Sequence, residues 1–234
     1  MLLDLPDVAR SAGLQVVEVD GWRIRSHGPM DASGPRAVVV HHTAGPSSGD
    51  APSLATVRDG RPDLAGPLAH FLLARSGTVH VVAAGLCWHT GATFERWQGN
   101  AYAIGIEVEN RGRPGDAYPD VQLAALRALC RALAARYRIP PARVVGHREI
   151  ASPAGRKTDP VFDMDSFRAT LLEEDTMPSA EDIAAAVWAH PMRNSFGDTV
   201  RADQVLNGVE QRTADAQKAV GDVIARIDRV LAEH

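Results

Sequence analysis

The sequence predicts an α/β fold, a mixed central β-sheet flanked by helices, followed by a C-terminal helical tail. Three observations carry that expectation. Val38-Val39-Val40 is an uninterrupted β-branched run, as in a strand buried on both faces. From Asp120 onward, Leu123, Leu126, Leu129, Leu133 and Tyr137 recur on one face of a helix. After Glu173-Glu174-Asp175-Thr176-Met177-Pro178 the composition shifts, and from Leu206 an apolar seven-residue repeat runs to the end. Strands that alternate with helices in one sheet define the α/β class.

Taken in order, the chain opens with a short helix from Asp7 to Ala12 and then alternating Val16, Val17 and Val19. Asp20-Gly21 before Trp22-Arg23-Ile24-Arg25 predicts a hairpin, because Asp-Gly favours a tight two-residue turn. Residues 28–36 are rich in Gly and Pro and separate this part from the strand at Val38. Residues 44–67 predict a long surface excursion around a short helix, the kind of loop that shapes substrate clefts. His70 to Val82 reads as two strands around Ser76-Gly77, Ile104 to Val108 as another, and Arg143 to Gly146 as a short one. Asp163 is placed to cap a helix with Met164, Phe167 and Leu171 on its core face. In the tail, Ser179 and Asp182 form a capping-box-like start to a helix bearing Ile183, Val187 and Trp188, and a looser stretch with Pro191, Asn194 and Gly197 follows. The heptads pair Leu206, Thr213, Val220 and Ile227 with Val209, Ala216, Val223 and Val230. They predict a coiled coil, hence a homo-oligomer through this helix, with docking on the first domain as the alternative; Thr213 and Ala216 weaken its middle.

At 234 residues there is room for one full domain and a smaller appendage. The net charge is −4, and residues 178–234 hold nine acidic against six basic side chains, which leaves about −1 elsewhere. Neither part is the basic surface of a nucleic-acid binder. No segment approaches the ~18 uninterrupted apolar residues of a membrane span. Met1-Leu2-Leu3-Asp4-Leu5-Pro6-Asp7 has no positive n-region and no long apolar core, so no signal peptide and a cytoplasmic chain are expected. A disulfide between Cys87 and Cys130 is disfavoured in that compartment; Cys130 reads as a core residue, and Cys87, beside Trp88-His89, stays open as a thiol ligand.

Three separated segments together hold the side chains of a metal-hydrolase site. A strand runs into His41-His42-Thr43, a second apolar stretch ends at Glu107, and a third reads Val144-Val145-Gly146-His147 before Gly155-Arg156-Lys157-Thr158-Asp159-Pro160. Catalytic zinc sites use three protein ligands and keep a fourth position for water. Two His and one Asp fill that need and leave a carboxylate and an ammonium for the chemistry. Adjacent strand residues face opposite ways, so only one of His41 and His42 enters such a site. A carboxylate at Glu107 is costly to bury unpaired; its options are an edge salt bridge or a general base.

These segments, with His70-Phe71-Leu72-Leu73, Gly77-Thr78-Val79 and Trp88-His89-Thr90-Gly91 between them, resemble the type-2 N-acetylmuramoyl-L-alanine amidases over roughly residues 20–175. The resemblance implies a zinc held by His41, His147 and Asp159, Glu107 as the general base, and Lys157 stabilising the oxyanion. It implies that Trp88, His89 and Thr158 line the substrate subsites. Glu109 itself reads as pointing to the other face, a decoy. A Tyr base used by other branches would fall at Ala69, which favours Glu107. The loop from His147 to Asp159 is about two residues longer than in the wall-recycling enzymes. The implied organisation is an extension over 1–20, a catalytic domain over 21–175 and a helical module over 179–234. The implied substrate is peptidoglycan or a muropeptide, with no nucleic-acid or membrane partner. Ala/Arg/Val-rich usage and the added module suit an actinobacteriophage endolysin, held in the host cytoplasm and released to the wall through a holin lesion. A cytoplasmic muropeptide-recycling amidase and a noncatalytic recognition module are the alternatives.

Overall fold

The computed structural model describes residues 1–113, 115–172, 191–193 and 199–232. The chain divides into two compact units, Met1–Glu174 and Asp175–His234. The strands of the first unit are β1 (Val16–Glu18), β2 (Ala37–His42), the two-residue β3 (Gly60–Arg61) and β4 (Leu64–Ala65), β5 (Phe71–Leu73), β6 (Val79–Val81), β7 (Ala103–Val108) and β8 (Val144–Gly146). Its helices are α1 (Leu5–Ser11), α2 (Leu54–Asp59), α3 (Asp120–Tyr137), α4 (His147–Ile150) and α5 (Met164–Leu172). Six strands form one mixed sheet in the order β1-β6-β5-β7-β2-β8. Only β5 and β6, joined by the turn at Ser76-Gly77, pair antiparallel; the other neighbours run parallel. β3 and β4 form a separate small hairpin within the long excursion.

Alternation along β2 sends Val38 and Val40 to one face, where they pack with Leu126, Leu129 and Leu133 of α3 and Met164 and Phe167 of α5. Ala37 and Val39 go to the other face, against Ala103, Val145 and Ile150. Further along that second face, Leu72 and Ala69 meet Val57 of α2. Both faces of β2 are thus covered, and Val38, Val39 and Val40 are fully buried. Asp163 caps α5 as its position suggests, accepting the Ser166 N–H at 2.7 Å.

The hairpin expected at Asp20-Gly21 does not form. β1 instead pairs parallel with β6, and Val19 N–H extends that ladder to the Val81 carbonyl at 3.0 Å. The chain then coils, with Arg25 N–H reaching Gly21 O at 3.1 Å. The cause is Trp22, which is 2% exposed and donates its indole N–H to Glu18 at 2.7 Å. A returning strand would have left that indole outside. The first helix begins at Leu5 rather than Asp7, because Pro6 sits in the first turn, where a missing N–H costs no hydrogen bond. Cys87 and Cys130 are both free and buried, so there is no disulfide.

In the second unit β9 (Pro191–Arg193) pairs antiparallel with β10 (Thr199–Arg201), where the sequence suggested only a loose stretch, and α6 (Ala202–Ala232) follows. The helix expected at Ile183, Val187 and Trp188 lies outside the described residues, as do Asn194 and Gly197. On α6 the side chains of Val209, Val220, Val223 and Ile224 are between 49% and 59% exposed.

Candidate metal centre

β7, β2 and β8 are neighbouring parallel strands, so their carboxyl ends open onto one crevice, the usual place for a site in an open α/β sheet. The register sets His41 beside Glu107 and Val40 beside Gly146, which puts His147 one residue past its strand at the start of α4. Asp159 is brought back by its loop, where Arg148 N–H donates to the Asp159 carbonyl at 2.7 Å. The result is three converging atoms. His41 Nδ1 and His147 Nδ1 are 3.0 Å apart, and each is 3.1 Å from Asp159 Oδ2. All three side chains are buried, and among the described residues no other three His, Cys, Asp or Glu donors meet in this way. His42 points to the opposite face, as alternation requires, with its Nδ1 3.4 Å from the Tyr118 hydroxyl.

The groups behind the rings decide where the ring protons lie. His147 Nε2–H donates to the Thr90 carbonyl at 2.9 Å. His89 Nε2–H donates to the Ala103 carbonyl at 3.1 Å, which leaves His89 Nδ1 as an acceptor, 3.1 Å from His41 Nε2. Both histidines of the cluster therefore carry their proton on Nε2, and with the rings neutral three lone pairs converge with no proton to link them. Such a cluster fits a cation, and neutral imidazoles with an ionised carboxylate are the protonation state a divalent metal takes. Burial, and then the neighbouring His147, push His41 down to about 4. Burial raises the Asp159 carboxyl; proton-bearing imidazoles at His147 and His41 would outweigh burial and hold it well below the usual carboxylate range, and with the rings neutral that part falls to a cation.

Glu107 stands beside this cluster with Oε2 buried and without a hydrogen-bond partner. Burial, then the charge of Asp159, push its carboxyl up to about 8, while Lys157 opposes the shift. Lys157 is half-buried and lies with Glu107 in an open cleft of ≈ 420 Å³ whose walls include Trp88 and Thr158. Glu109 departs from expectation. It follows Glu107 by two residues and so shares its face; it is kept out of the site because Ser53 N–H, Ser53 Oγ and Thr43 Oγ1 donate to its carboxylate at 2.6, 3.0 and 3.0 Å. His89 lines the same cleft, but both its ring nitrogens are engaged behind His41, so it backs the cluster and offers a ligand ring surface rather than a free polar atom. Cys87 is no ligand; its thiol contacts the Gly85 carbonyl and burial raises its pKa. The sequence reading missed Asn100 and Arg156, whose hydrogen bonds organise the loop behind the histidines. Arg156 stands in the Gly155-to-Pro160 segment but was given no role there, and no local pattern marks Asn100.

A three-donor cluster with a spare carboxylate in an open cleft is the layout of a catalytic metal site; structural sites close all four positions. The chain belongs to the N-acetylmuramoyl-L-alanine amidase family, whose model matches residues 31–162. It is 31% identical over 167 residues to the N-acetylmuramoyl-L-alanine amidase AmiD of Escherichia coli (strain K12), across 62% of this chain and 56% of that protein. It is 37% identical over 116 residues to the 1,6-anhydro-N-acetylmuramyl-L-alanine amidase AmpD of the same organism, across 46% of this chain and 60% of that protein. The chain thus spans under two thirds of the length of these relatives. A crystal structure of a selenomethionine AmpD derivative superposes over 65% of this chain and 98% of that one, with 29% identity and a TM-score of 0.49.

Proposed function

We propose that this protein hydrolyses the amide bond between N-acetylmuramic acid and L-alanine in peptidoglycan, using a zinc ion held by His41, His147 and Asp159. The observation that carries the reading is the convergence of three lone-pair donors beside a carboxylate with a buried, unpartnered oxygen, in a chain of this family. Zinc in that position would supply Lewis acidity toward water and the amide carbonyl. Glu107 accepts the proton of the attacking water as its oxygen bonds to the carbonyl carbon. Lys157, whose charge already acts on Glu107 and His41, stands against the developing oxyanion. The C–N bond then breaks as Glu107 returns its proton to the leaving amine. Trp88, 46% exposed, and Thr158 offer surface to the glycan or stem peptide.

The intact wall, as for a phage endolysin, is the substrate form that suits a chain with a second unit bearing an exposed apolar helical face. Turnover of a small soluble muropeptide needs no such unit. The test is mass spectrometry of muropeptides and of insoluble wall after incubation with zinc-loaded protein, with a chelated sample alongside. Stem peptide released with a free L-alanine amine, and lost on chelation, is the expected result. Cleavage of soluble muropeptide alone would move the role to recycling. Uncut substrate that co-elutes with the protein would overturn the hydrolase and leave a binding module.

A further inference from the structure

We infer that Asn100 is a positioning residue for the metal centre: it clamps His89 and Thr90, and each of these fixes the tautomer of one ligand histidine. The inference rests on the zinc reading above. Asn100 Oδ1 accepts three hydrogen bonds, from His89 N–H and Thr90 N–H at 2.9 Å each and from Thr90 Oγ1 at 3.0 Å. Two successive residues are thereby held in one conformation. The first presents its ring Nδ1 to His41 Nε2–H; the second presents its carbonyl to His147 Nε2–H. Arg156 secures the same strip from the other side, donating to the Thr90 and Ala92 carbonyls at 3.0 and 2.7 Å. The floor under the strip is equally specific. A Cβ on Gly105 would come within 2.7 Å of the His89 ring, so the imidazole lies directly on the β7 backbone.

The consequence is chemical. An imidazole that puts its N–H toward the cluster offers a proton, not a lone pair, and must change tautomer before it can bind a cation. Partners that fix the far nitrogen of a ligand histidine are worth roughly 10–100-fold in metal affinity. Here one carboxamide oxygen governs both histidines, through adjacent residues.

The experiment records nitrogen NMR of histidine-labelled, metal-free protein together with zinc affinity by chelator competition. Wild type is expected to show the Nε2–H tautomer at His41 and His147. Asn100→Leu removes the acceptor and should mix tautomers at both rings, with zinc affinity falling about ten-fold or more. Asn100→Asp keeps an oxygen in place and should restore both readouts. His89→Phe keeps a ring over Gly105 but no acceptor, and should release His41 while His147 stays as in wild type. This second variant decides the matter if Asn100→Leu does not fold. Unchanged tautomers and affinity in Asn100→Leu and His89→Phe, with wild type binding zinc, overturn the inference alone. A wild-type protein that binds no zinc overturns the metal reading and the inference with it.

Discussion

Glu107 illustrates how much depends on surroundings at the scale of one residue. Burial and the nearby Asp159 raise its carboxyl to about 8, and Lys157 pulls the other way. A cation among the three donors would offset the Asp159 charge and favour the ionised base. Glu107→Gln keeps the size and loses the proton acceptor; kcat should fall by about 10²–10⁴ while zinc affinity is unchanged. A variant with near-normal turnover would show that another group is the base. Gly105→Ala tests the packing beneath: its Cβ would meet His89 Nδ1 at 2.7 Å and Cγ at 2.8 Å. Overpacking of this kind costs about 1–3 kcal/mol, to be read by denaturant unfolding, and should weaken zinc binding as well because His89 is pushed toward His41. The neighbouring Glu109 was hard to place from sequence. Its parity with Glu107 gives the same face, and only the three donors from Ser53 and Thr43 explain why it stays out of the site.

Among elements, α1 and α3 show how local signals and distant partners combine. Asp4, just before α1, accepts the Tyr137 hydroxyl and Arg136 Nε at 2.6 Å each, joining the start of the chain to the last turn of α3. Burial raises the Asp4 carboxyl, but these bonds win and lower it below 3.8. The stabilisation is therefore present above 3.8 and lost as pH falls through the lower folded value. Asp4→Asn should cost about 1 kcal/mol near neutral pH, with the two proteins converging in acid when urea unfolding is compared. The apolar periodicity of α3 was legible because one face packs on the sheet over its length. β1 was not: three residues carry too little pattern to specify a partner, and the burial of Trp22 overrode the turn preference of Asp20-Gly21.

For the molecule as a whole, the metal reading predicts a stability that depends on zinc. Binding to the folded state alone adds about 2.7 kcal/mol when free zinc is 100 times Kd, so Tm should rise with zinc concentration. Asp159→Ala should abolish that dependence, and a calorimetric scan checks both. Removal of residues 175–234 tests the second unit. If the exposed stripe of Val209, Val220 and Val223 on α6 mediates self-association, the truncated protein should sediment as a monomer where the full chain does not. If mass and action on intact walls both survive truncation, the unit is neither oligomeriser nor wall anchor.

Apolar periodicity by itself determined the α/β class, the principal strands and α3, because burial on a sheet leaves a mark on every second or every third to fourth residue. The motif order determined which side chains were candidates for the site, since His41 and Glu107 sit at strand ends, His147 one residue past its strand and Asp159 in the loop that follows α4. Only the tertiary structure decided which atoms face one another. The choice of Nδ1 over Nε2 depends on carbonyls of Thr90 and Ala103, and the hold on that loop depends on Asn100. Those contacts join residues brought together by strand order, and hydrogen bonds to backbone atoms carry no residue signature that a sequence could display.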